Sequence, residues 1–214
     1  MTTKIDPTPG KLIVLEGIDG SGTTTQAARL HAFVRSLGLS AVETREPSRG
    51  PVGLLIRKIL SGEEKTDPAA MALLFASDRL DHLAREVVPA LLAGTHVITD
   101  RYLLSSLAYQ SIEIDRALVV AFNQRARRAD LTLLIDVPVE VAAARRRARG
   151  GPVELFDDDA FQAQVAHNYR AEAERLRAAG EPVVIVDGTP DADQVFQALC
   201  GPVRSCIGAP VRSS

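Results

Sequence analysis

Cysteine and tryptophan are nearly absent from this chain of 214 residues, which has two cysteines and no tryptophan. Two cysteines are too few for a disulfide framework or a cysteine-rich metal cluster, so we expect both to be reduced. The sequence also lacks an apolar run of about 20 residues, the length that a membrane-spanning helix needs. The first residues show no apolar signal-peptide segment. These absences predict a cytoplasmic protein with no membrane partner.

A large excess of charge is missing as well. The chain has 25 basic and 27 acidic residues, a formal net charge of −2. Such a balance is not typical of a surface that binds a nucleic acid polymer, so any basic site must be local. Lysine is scarce, since only Lys4, Lys11, Lys58 and Lys65 are present. We therefore expect arginine to supply the positive charge of a functional site.

Residues 12–26 follow the pattern of a strand, a glycine loop and a helix. In the template G-x-x-x-x-G-K-[ST], Gly17, Gly22 and Thr24 match, but Thr23 occupies the position of the lysine. The glycines allow backbone N–H groups to converge on an anion, and the following helix directs its positive dipole end to the same point. The stretch predicts a phosphate-binding loop; the alternative is a plain connection between a strand and a helix.

Polar residues also follow the next two predicted strands. Arg45, Glu46 and Arg49 come after a short strand at about 41–44, and Asp100 ends a strand at 96–100. The carboxyl ends of parallel strands form the edge at which ligands bind. Asp100 and the Thr24 hydroxyl together suit a Mg²⁺ ion beside a nucleotide. The alternative for Asp100 is a structural cap of the next helix.

Two helices carry candidate recognition residues. Phe75 and Arg79 lie one turn apart on a helix predicted over 67–92, where they could hold a planar ring. Packing for Phe75 and a surface ion pair for Arg79 are the alternative. Further along, Ser106, Tyr109 and Gln110 share one face of a second helix. Taken alone, these three could be surface polar residues.

Five apolar strands alternating with helices predict an α/β fold with one doubly wound parallel sheet. We expect a single domain over 11–200, a flexible arm at 1–10 and a disordered tail at 201–214. Four arginines lie within 145–149, before a glycine break and an acidic stretch. This segment suits a lid at about 145–159 that closes over phosphates. A solvated helix face is the usual alternative for such a charge run.

Several separate motifs occur in one order along residues 11–200. They are Leu15-Glu16-Gly17-Ile18-Asp19-Gly20-Ser21-Gly22, Thr44-Arg45-Glu46-Pro47, Leu74-Phe75-Ala76-Ser77-Asp78-Arg79, Asp100-Arg101-Tyr102, Ser105-Ser106 with Ala108-Tyr109-Gln110, and the arginine-rich lid. In these motifs the chain resembles the thymidylate kinases, P-loop kinases that transfer a phosphoryl group from ATP to dTMP. The resemblance implies a three-layer P-loop kinase fold, five parallel strands with helices on both faces, and a homodimer joined through long helices including 67–92.

The resemblance also implies roles for individual residues. ATP phosphates would bind the loop residues Gly17, Gly20, Ser21, Gly22, Thr23, Thr24 and Thr25, and Mg²⁺ would bind Thr24 and Asp100. On the dTMP side, Phe75 would stack on thymine, Arg79 would bond a base carbonyl, Ser106 would lie at the base edge and Tyr109 near the sugar, with Glu46 and Gln110 beside them. Asp19 would approach the 3′-hydroxyl side and Arg101 the acceptor phosphate.

Two departures from the family pattern bear on catalysis. The first is Thr23, which cannot supply the positive charge of the family's lysine. We expect an arginine to do so, with Arg49, Arg145, Arg146 and Arg149 as candidates, because the four lysines look poorly placed. The second is Pro152-Val153-Glu154-Leu155-Phe156, where the family often has an Asp-Arg-x-Glu-like segment. A kinase of another small nucleotide or nucleoside, and a nucleotide-binding protein without useful turnover, remain the alternatives.

Overall fold

The computed structural model describes residues 9–150, 155–156 and 158–209, and the N-terminal residues 1–8 and part of the predicted lid lie outside this description. Its centre is a sheet of five parallel strands. The strands are β1 (Leu12–Glu16), β2 (Ala41–Arg45), β3 (His96–Asp100), β4 (Leu131–Asp136) and β5 (Val183–Asp187). Their order in the sheet is β2-β3-β1-β4-β5. In register, Leu12 of β1 lies beside Val97 of β3, and Ile13 lies beside Leu131 of β4.

Helices connect the strands and cover both faces of the sheet. They are α1 (Thr23–Ser36), α2 (Pro51–Leu60), α3 (Pro68–His82), α4 (Val88–Leu92), α5 (Leu103–Tyr109), α6 (Arg116–Phe122), α7 (Val139–Arg149), α8 (Asp159–Ala178) and α9 (Ala192–Ile207). A π-helical turn at Leu83–Val87 joins α3 to α4 without a break, so the helix predicted over 67–92 is continuous. The Asp67 carboxylate caps it by accepting the N–H groups of Ala69 and Ala70.

Alternation along β1 separates the two layers of the core. Ile13 and Leu15 face the side covered by α1 and α9, whereas Leu12 and Val14 face the side covered by α4 and the π-helical turn. Farther along this second side, α5 and α8 pack over β4. Because both faces are buried, β1 is apolar almost throughout, as expected of a central parallel strand. The predicted three-layer α/β architecture is confirmed.

The prediction for the C-terminal tail was wrong over residues 201–207. Helix α9 continues through Gly201 and Pro202 to Ile207. Val195, Leu199 and Val203 recur every four residues along it and are buried against the layer of α1. This apolar stripe stabilises the last turns and outweighs the helix-breaking tendency of glycine and proline. Residues 210–214 lie outside the described part of the chain.

The arm and the lid also differ in detail from their predicted bounds. Gly10 is buried and donates its N–H to the Leu91 carbonyl at 2.8 Å, so the arm is anchored at its last residue. The first residues of the predicted lid, 145–149, are helical because α7 continues to Arg149. Residues 151–154 and 157 of that segment lie outside the described residues. Helix α6 (Arg116–Phe122) was not anticipated at all.

Candidate active site

The glycine loop joins β1 to α1, as the sequence pattern predicts. Gly20 and Gly22 have φ angles of +92° and +98°, in the left-handed region that favours glycine. A Cβ atom on Gly20 would lie 2.4 Å from the Ala142 carbonyl oxygen. Gly22 precedes α1 and has no side chain to cap it. The first N–H groups of α1 are therefore available to an anion.

Thr24 and Asp100 meet at the carboxyl ends of β1 and β3. The Thr24 hydroxyl donates to Asp100 Oδ2 at 2.5 Å. The other carboxylate oxygen, Oδ1, is buried and has no hydrogen-bond partner among the described residues, as is also true of the Ser21 hydroxyl in the loop. An orphaned carboxylate oxygen beside a hydroxyl fits Mg²⁺, which usually takes one or two protein ligands plus phosphates and waters.

Arg101 follows Asp100 directly and forms the centre of a hydrogen-bonded group. Its Nη2 donates to Asp19 Oδ1 at 2.6 Å, and the Tyr109 hydroxyl donates to Asp19 Oδ2 at 3.1 Å. The guanidinium also lies 5.3 Å from the centre of the Tyr109 ring. Burial alone would lower the pKa of Arg101, but Tyr109, Asp19 and neighbouring groups raise it above its usual value. The guanidinium therefore stays charged.

A cavity of about 140 Å³, the base pocket, opens beside Arg101. Phe75 of α3 lines one part of its wall, while Ser106, Tyr109 and Gln110 of α5 and the turn after it line another. The described residues that line the pocket are Asp19, Glu46, Pro47, Leu60, Phe75, Arg101, Ser105, Ser106, Tyr109, Gln110 and Phe156. Polar groups on one side and an aromatic ring on the other suit a planar heterocycle.

Arg79 lies behind this pocket rather than in its lining. It is 1% exposed and has hydrogen bonds for all five of its donors. Their acceptors are Glu46 twice, Ser106, Asn123 and the Tyr102 carbonyl. The direct bond from Arg79 to a base carbonyl that the resemblance implies stays a prediction. In the structure Arg79 holds the Ser106 hydroxyl and the Glu46 carboxylate in the pocket wall.

A second cavity, of about 590 Å³, continues from the base pocket to the glycine loop and shares Glu46, Pro47, Leu60 and Arg101 with it. We call it the phosphate cavity. Thr24 and Asp100 line its loop end. Among the described residues, four cationic side chains line it, namely Arg45, Arg57, Lys58 and Arg101.

Two of these cations were missed or misjudged from the sequence. Lys58, which was expected to be poorly placed like the other lysines, lies within α2 and lines the phosphate cavity. Arg57 was not considered; its guanidinium donates to the Ser48 carbonyl at 2.6 Å, so the β2–α2 loop fixes it. The spacing of the apolar residues Ile56 and Ile59 in α2 could have indicated that both cations lie outside the core, because it leaves positions 57 and 58 on another face of the helix.

A model of the thymidylate kinase family matches residues 15–199 of the chain. The chain belongs to the thymidylate kinase family. Three relatives are each named thymidylate kinase. The protein of Alkalilimnicola ehrlichii is 38% identical over 94% of this chain and 95% of its own. The protein of Thermomicrobium roseum is 41% identical over 76% of this chain and 81% of the relative's length. The protein of Nostoc punctiforme is 34% identical over 89% of this chain and 93% of the relative's length.

In this thymidylate kinase family member, Thr23 stands where the template G-x-x-x-x-G-K-[ST] has lysine, and the candidate arginines lie in different places. Arg146 lies against the loop: its Nη1 donates to the Asp19 carbonyl at 2.9 Å, and its side chain is 10% exposed. Arg145 turns the other way, donating to the Gly188 carbonyl at 2.9 Å. Arg49 and Arg149 are exposed, in the β2–α2 loop and at the end of α7.

Arg145 belongs to a third cavity, of about 230 Å³, on the far side of the glycine loop. Thr25 and Gln26 of α1 line it opposite Pro190, and the buried Gln26 Oε1 has no hydrogen-bond partner among the described residues. Arg145 and Arg146, which are neighbours in α7, therefore lie on opposite sides of the glycine loop.

Within the described part of the chain, no helix is long and apolar enough to cross a membrane.

Proposed function

We propose that the protein transfers the γ-phosphoryl group of ATP to dTMP, giving dTDP and ADP. The observation that carries this proposal is the continuity of the base pocket and the phosphate cavity, which join at Arg101 and end at Thr24 and Asp100. A nucleoside monophosphate with its base in the pocket would direct its phosphate along this line towards the glycine loop. In-line phosphoryl transfer needs the acceptor phosphate to face the γ-phosphate of ATP in this way.

Recognition of dTMP is ascribed to the walls of the base pocket. Phe75 offers a face for stacking on thymine, and Ser106 and Gln110 offer hydrogen-bonding groups to its edge. Tyr109 is 7% exposed, and its hydroxyl is bonded to Asp19. A bulky ring fixed in this position leaves little room for a ribose 2′-hydroxyl. This supports a deoxyribonucleotide as the acceptor.

The Asp19–Arg101 pair supports a role in receiving the acceptor phosphate. Asp19 Oδ1 lies 2.6 Å from Arg101 Nη2 and neutralises its charge. A phosphate that enters the cavity would compete for the same guanidinium, which can bind it through two parallel hydrogen bonds. Asp19 would then be released towards the 3′-hydroxyl side of the sugar. Arg45, Arg57 and Lys58 would add positive charge around the same phosphate.

ATP is assigned to the glycine loop and to the cavity beyond it. The N–H groups at the start of α1 would hold its phosphates, and the 230 Å³ cavity beside Arg145 and Gln26 would take its base. Thr24 and Asp100 would hold Mg²⁺, which neutralises charge on the phosphates when it is bound. Asp100 keeps the Thr24 hydroxyl oriented for that ion.

For the missing loop lysine, we assign the compensating charge to Arg146. Its guanidinium bonds the Asp19 carbonyl, and its Cγ would lie 3.1 Å from a Cβ built on Gly20, so it rests directly on the loop. Arg146 also contacts Asp159 at 2.6 Å, and this carboxylate is more than half exposed. Such an ion pair is weak, so a nucleotide phosphate can replace it.

Paired arginine variants test this assignment. Arg146→Ala should lower kcat for dTMP phosphorylation by about 100-fold or more, the usual cost of one preorganised donor to transition-state charge. Arg149→Ala removes an equal charge from the exposed end of α7 and should lower kcat less than threefold. Equal losses in the two variants would contradict the assignment. Thr23→Lys should raise kcat by less than about tenfold; a gain of several hundred-fold would show that nothing compensates for the lysine.

We also infer a homodimer that acts in the cytoplasm. Leu73 and Leu80 are 47% and 38% exposed and lie seven residues apart, on one face of α3. Leu118 of α6 is 50% exposed. A second copy of α3 would cover these side chains. Sedimentation velocity should give a dimer mass for the native chain and a monomer for Leu73→Glu; a native monomer would refute the inference.

A further inference from the structure

Glu16 is a buried carboxyl group that the proposed reaction does not use directly. It ends β1, precedes Gly17 and has no solvent exposure. The described residues that line the base pocket and the phosphate cavity do not include it. Burying a carboxyl group costs free energy unless hydrogen bonds offset it. The hydrogen-bond partners of Glu16 therefore indicate its role.

The first set of bonds concerns the backbone at Arg101. Among the described residues, Arg101 is the one non-glycine residue with a positive φ, +72°. An arginine adopts this conformation only where the surroundings enforce it. The Arg101 N–H donates to the Leu15 carbonyl at 2.8 Å, and the next N–H, of Tyr102, donates to Glu16 Oε1 at 3.0 Å. Glu16 thus closes the strained turn from one side.

The second set leads to the Arg101 side chain. Glu16 Oε2 accepts from the Ser105 hydroxyl at 2.5 Å and from the Tyr169 hydroxyl at 3.4 Å. The Ser105 and Tyr169 oxygens are themselves 2.8 Å apart. Tyr169 then accepts from Arg101 Nη1 at 3.0 Å. A short chain of hydrogen bonds therefore runs from the buried carboxyl to the guanidinium that faces the phosphate cavity.

We propose that Glu16 is a positioning residue for phosphoryl transfer, whose carboxylate fixes both the backbone turn at Arg101 and the direction of its guanidinium. The inference rests on the proposed function, in which Arg101 binds the acceptor phosphate. An ionised Glu16 can only accept, so the Ser105 and Tyr169 protons point to it and a Tyr169 lone pair faces Arg101. A protonated Glu16 must donate, which turns one of these hydroxyls and disfavours the bond to Arg101.

The charges around Glu16 come from several elements. Burial raises the pKa of Glu16 to about 7, although the Ser105 hydrogen bond and the charges of Arg101 and Arg79 oppose the rise. Tyr169 of α8 and Tyr102 face it as neutral groups, since burial raises the pKa of both. Across a cavity of about 40 Å³ lie Arg128 and Glu181, which neutralise each other as an ion pair at 2.5 Å.

The test compares pH profiles of steady-state kinetics. Glu16→Gln keeps an oxygen for the Tyr102 N–H but presents an NH₂ donor at every pH, as the protonated acid does. It should lower kcat/KM for dTMP about tenfold at pH 8, the value of one charge-assisted hydrogen bond, and leave KM for ATP within twofold. The native rise of kcat/KM near pH 7 should shrink to the part that comes from the dTMP phosphate itself.

Glu172→Gln is the matched control, because it also removes a buried carboxylate but one that pairs with Arg116 away from the cleft. It should keep the native profile. If Glu16→Gln folds and its profile for dTMP is also native, the proposal is overturned. If Glu16→Gln does not fold, Tyr169→Phe decides in the same way, since it breaks the chain between Glu16 and Arg101 and removes only one hydroxyl.

A substrate-free readout keeps this inference separate from the proposed function. ¹⁵N signals of the Arg101 guanidinium, assigned by their loss in Arg101→Lys, should show slow rotation in the native protein at pH 8 and faster rotation in Glu16→Gln. Equal rotation in both proteins would overturn the positioning role. A native protein that neither binds nor phosphorylates dTMP would instead refute the proposed function. The rotation of the Arg101 guanidinium would still test whether Glu16 positions it.

Discussion

The buried Glu16 carboxyl should make the stability of the protein depend on pH in an unusual direction. Its pKa is about 7 in the folded state, against an ordinary value of 4.5. Because the folded state holds the proton more tightly, this group stabilises the fold fully below pH 4.5, and the contribution is lost as the pH rises through 7. At about 1.4 kcal/mol per pH unit, the whole loss is about 3 kcal/mol, and most of it falls between pH 5 and pH 8.

Glu16→Gln removes the titrating group and retains the side-chain shape. Urea unfolding at pH 5 and pH 8 should show that the variant gains about 2–3 kcal/mol of stability relative to the native protein as the pH rises. Other titrating groups cancel in this difference. Glu172→Gln, which takes a carboxylate from Arg116, should instead destabilise the protein at pH 8. A difference between the native protein and Glu16→Gln that is the same at both pH values would refute the reasoning.

Three further changes test other parts of the structure. Asp100→Asn should raise the Mg²⁺ concentration needed for half-maximal activity by about tenfold or more, since the orphaned Oδ1 loses its charge; an unchanged magnesium titration would exclude Asp100 as a ligand. Tyr109→Ala should reduce the preference for dTMP over its ribonucleotide analogue by about tenfold in kcat/KM; an unchanged preference would show that the ring does not face the sugar. Val203→Ala should cost about 1–3 kcal/mol in urea unfolding, because Val203 is fully buried in α9; a neutral effect would contradict the length of that helix.

Much of the fold follows from local patterns in the sequence. Strand β3 was predicted with its observed bounds, because the short apolar run that follows Gly94 has the length of a strand. The end of α9 was not predictable in this way. Gly201 and Pro202 are local helix breakers, and the burial of Val203 that overrides them depends on α1, which is distant in sequence.

The candidate site shows a similar division. The meeting of Thr24 with Asp100 was predictable, since both follow neighbouring parallel strands. The burial of Arg79 was not, because its five hydrogen bonds go to four residues, Glu46, Tyr102, Ser106 and Asn123, which are distant from it in sequence. Glu16 was overlooked because a single acidic residue at the end of an apolar strand gives no signal of its own. Its role depends on Ser105 and Tyr169, which the fold brings to it from α5 and α8.

The central claim is that this chain phosphorylates dTMP with an arginine in place of the loop lysine. The most direct measurement is the rate of ADP formation with ATP and Mg²⁺ across dTMP, dUMP, dCMP and thymidine, in the native protein and in Arg146→Ala. We predict dTMP to be the best acceptor by kcat/KM, and the rate with dTMP to fall about 100-fold in Arg146→Ala. Another acceptor ranking above dTMP, or an Arg146→Ala variant as fast as the native protein, would contradict the account.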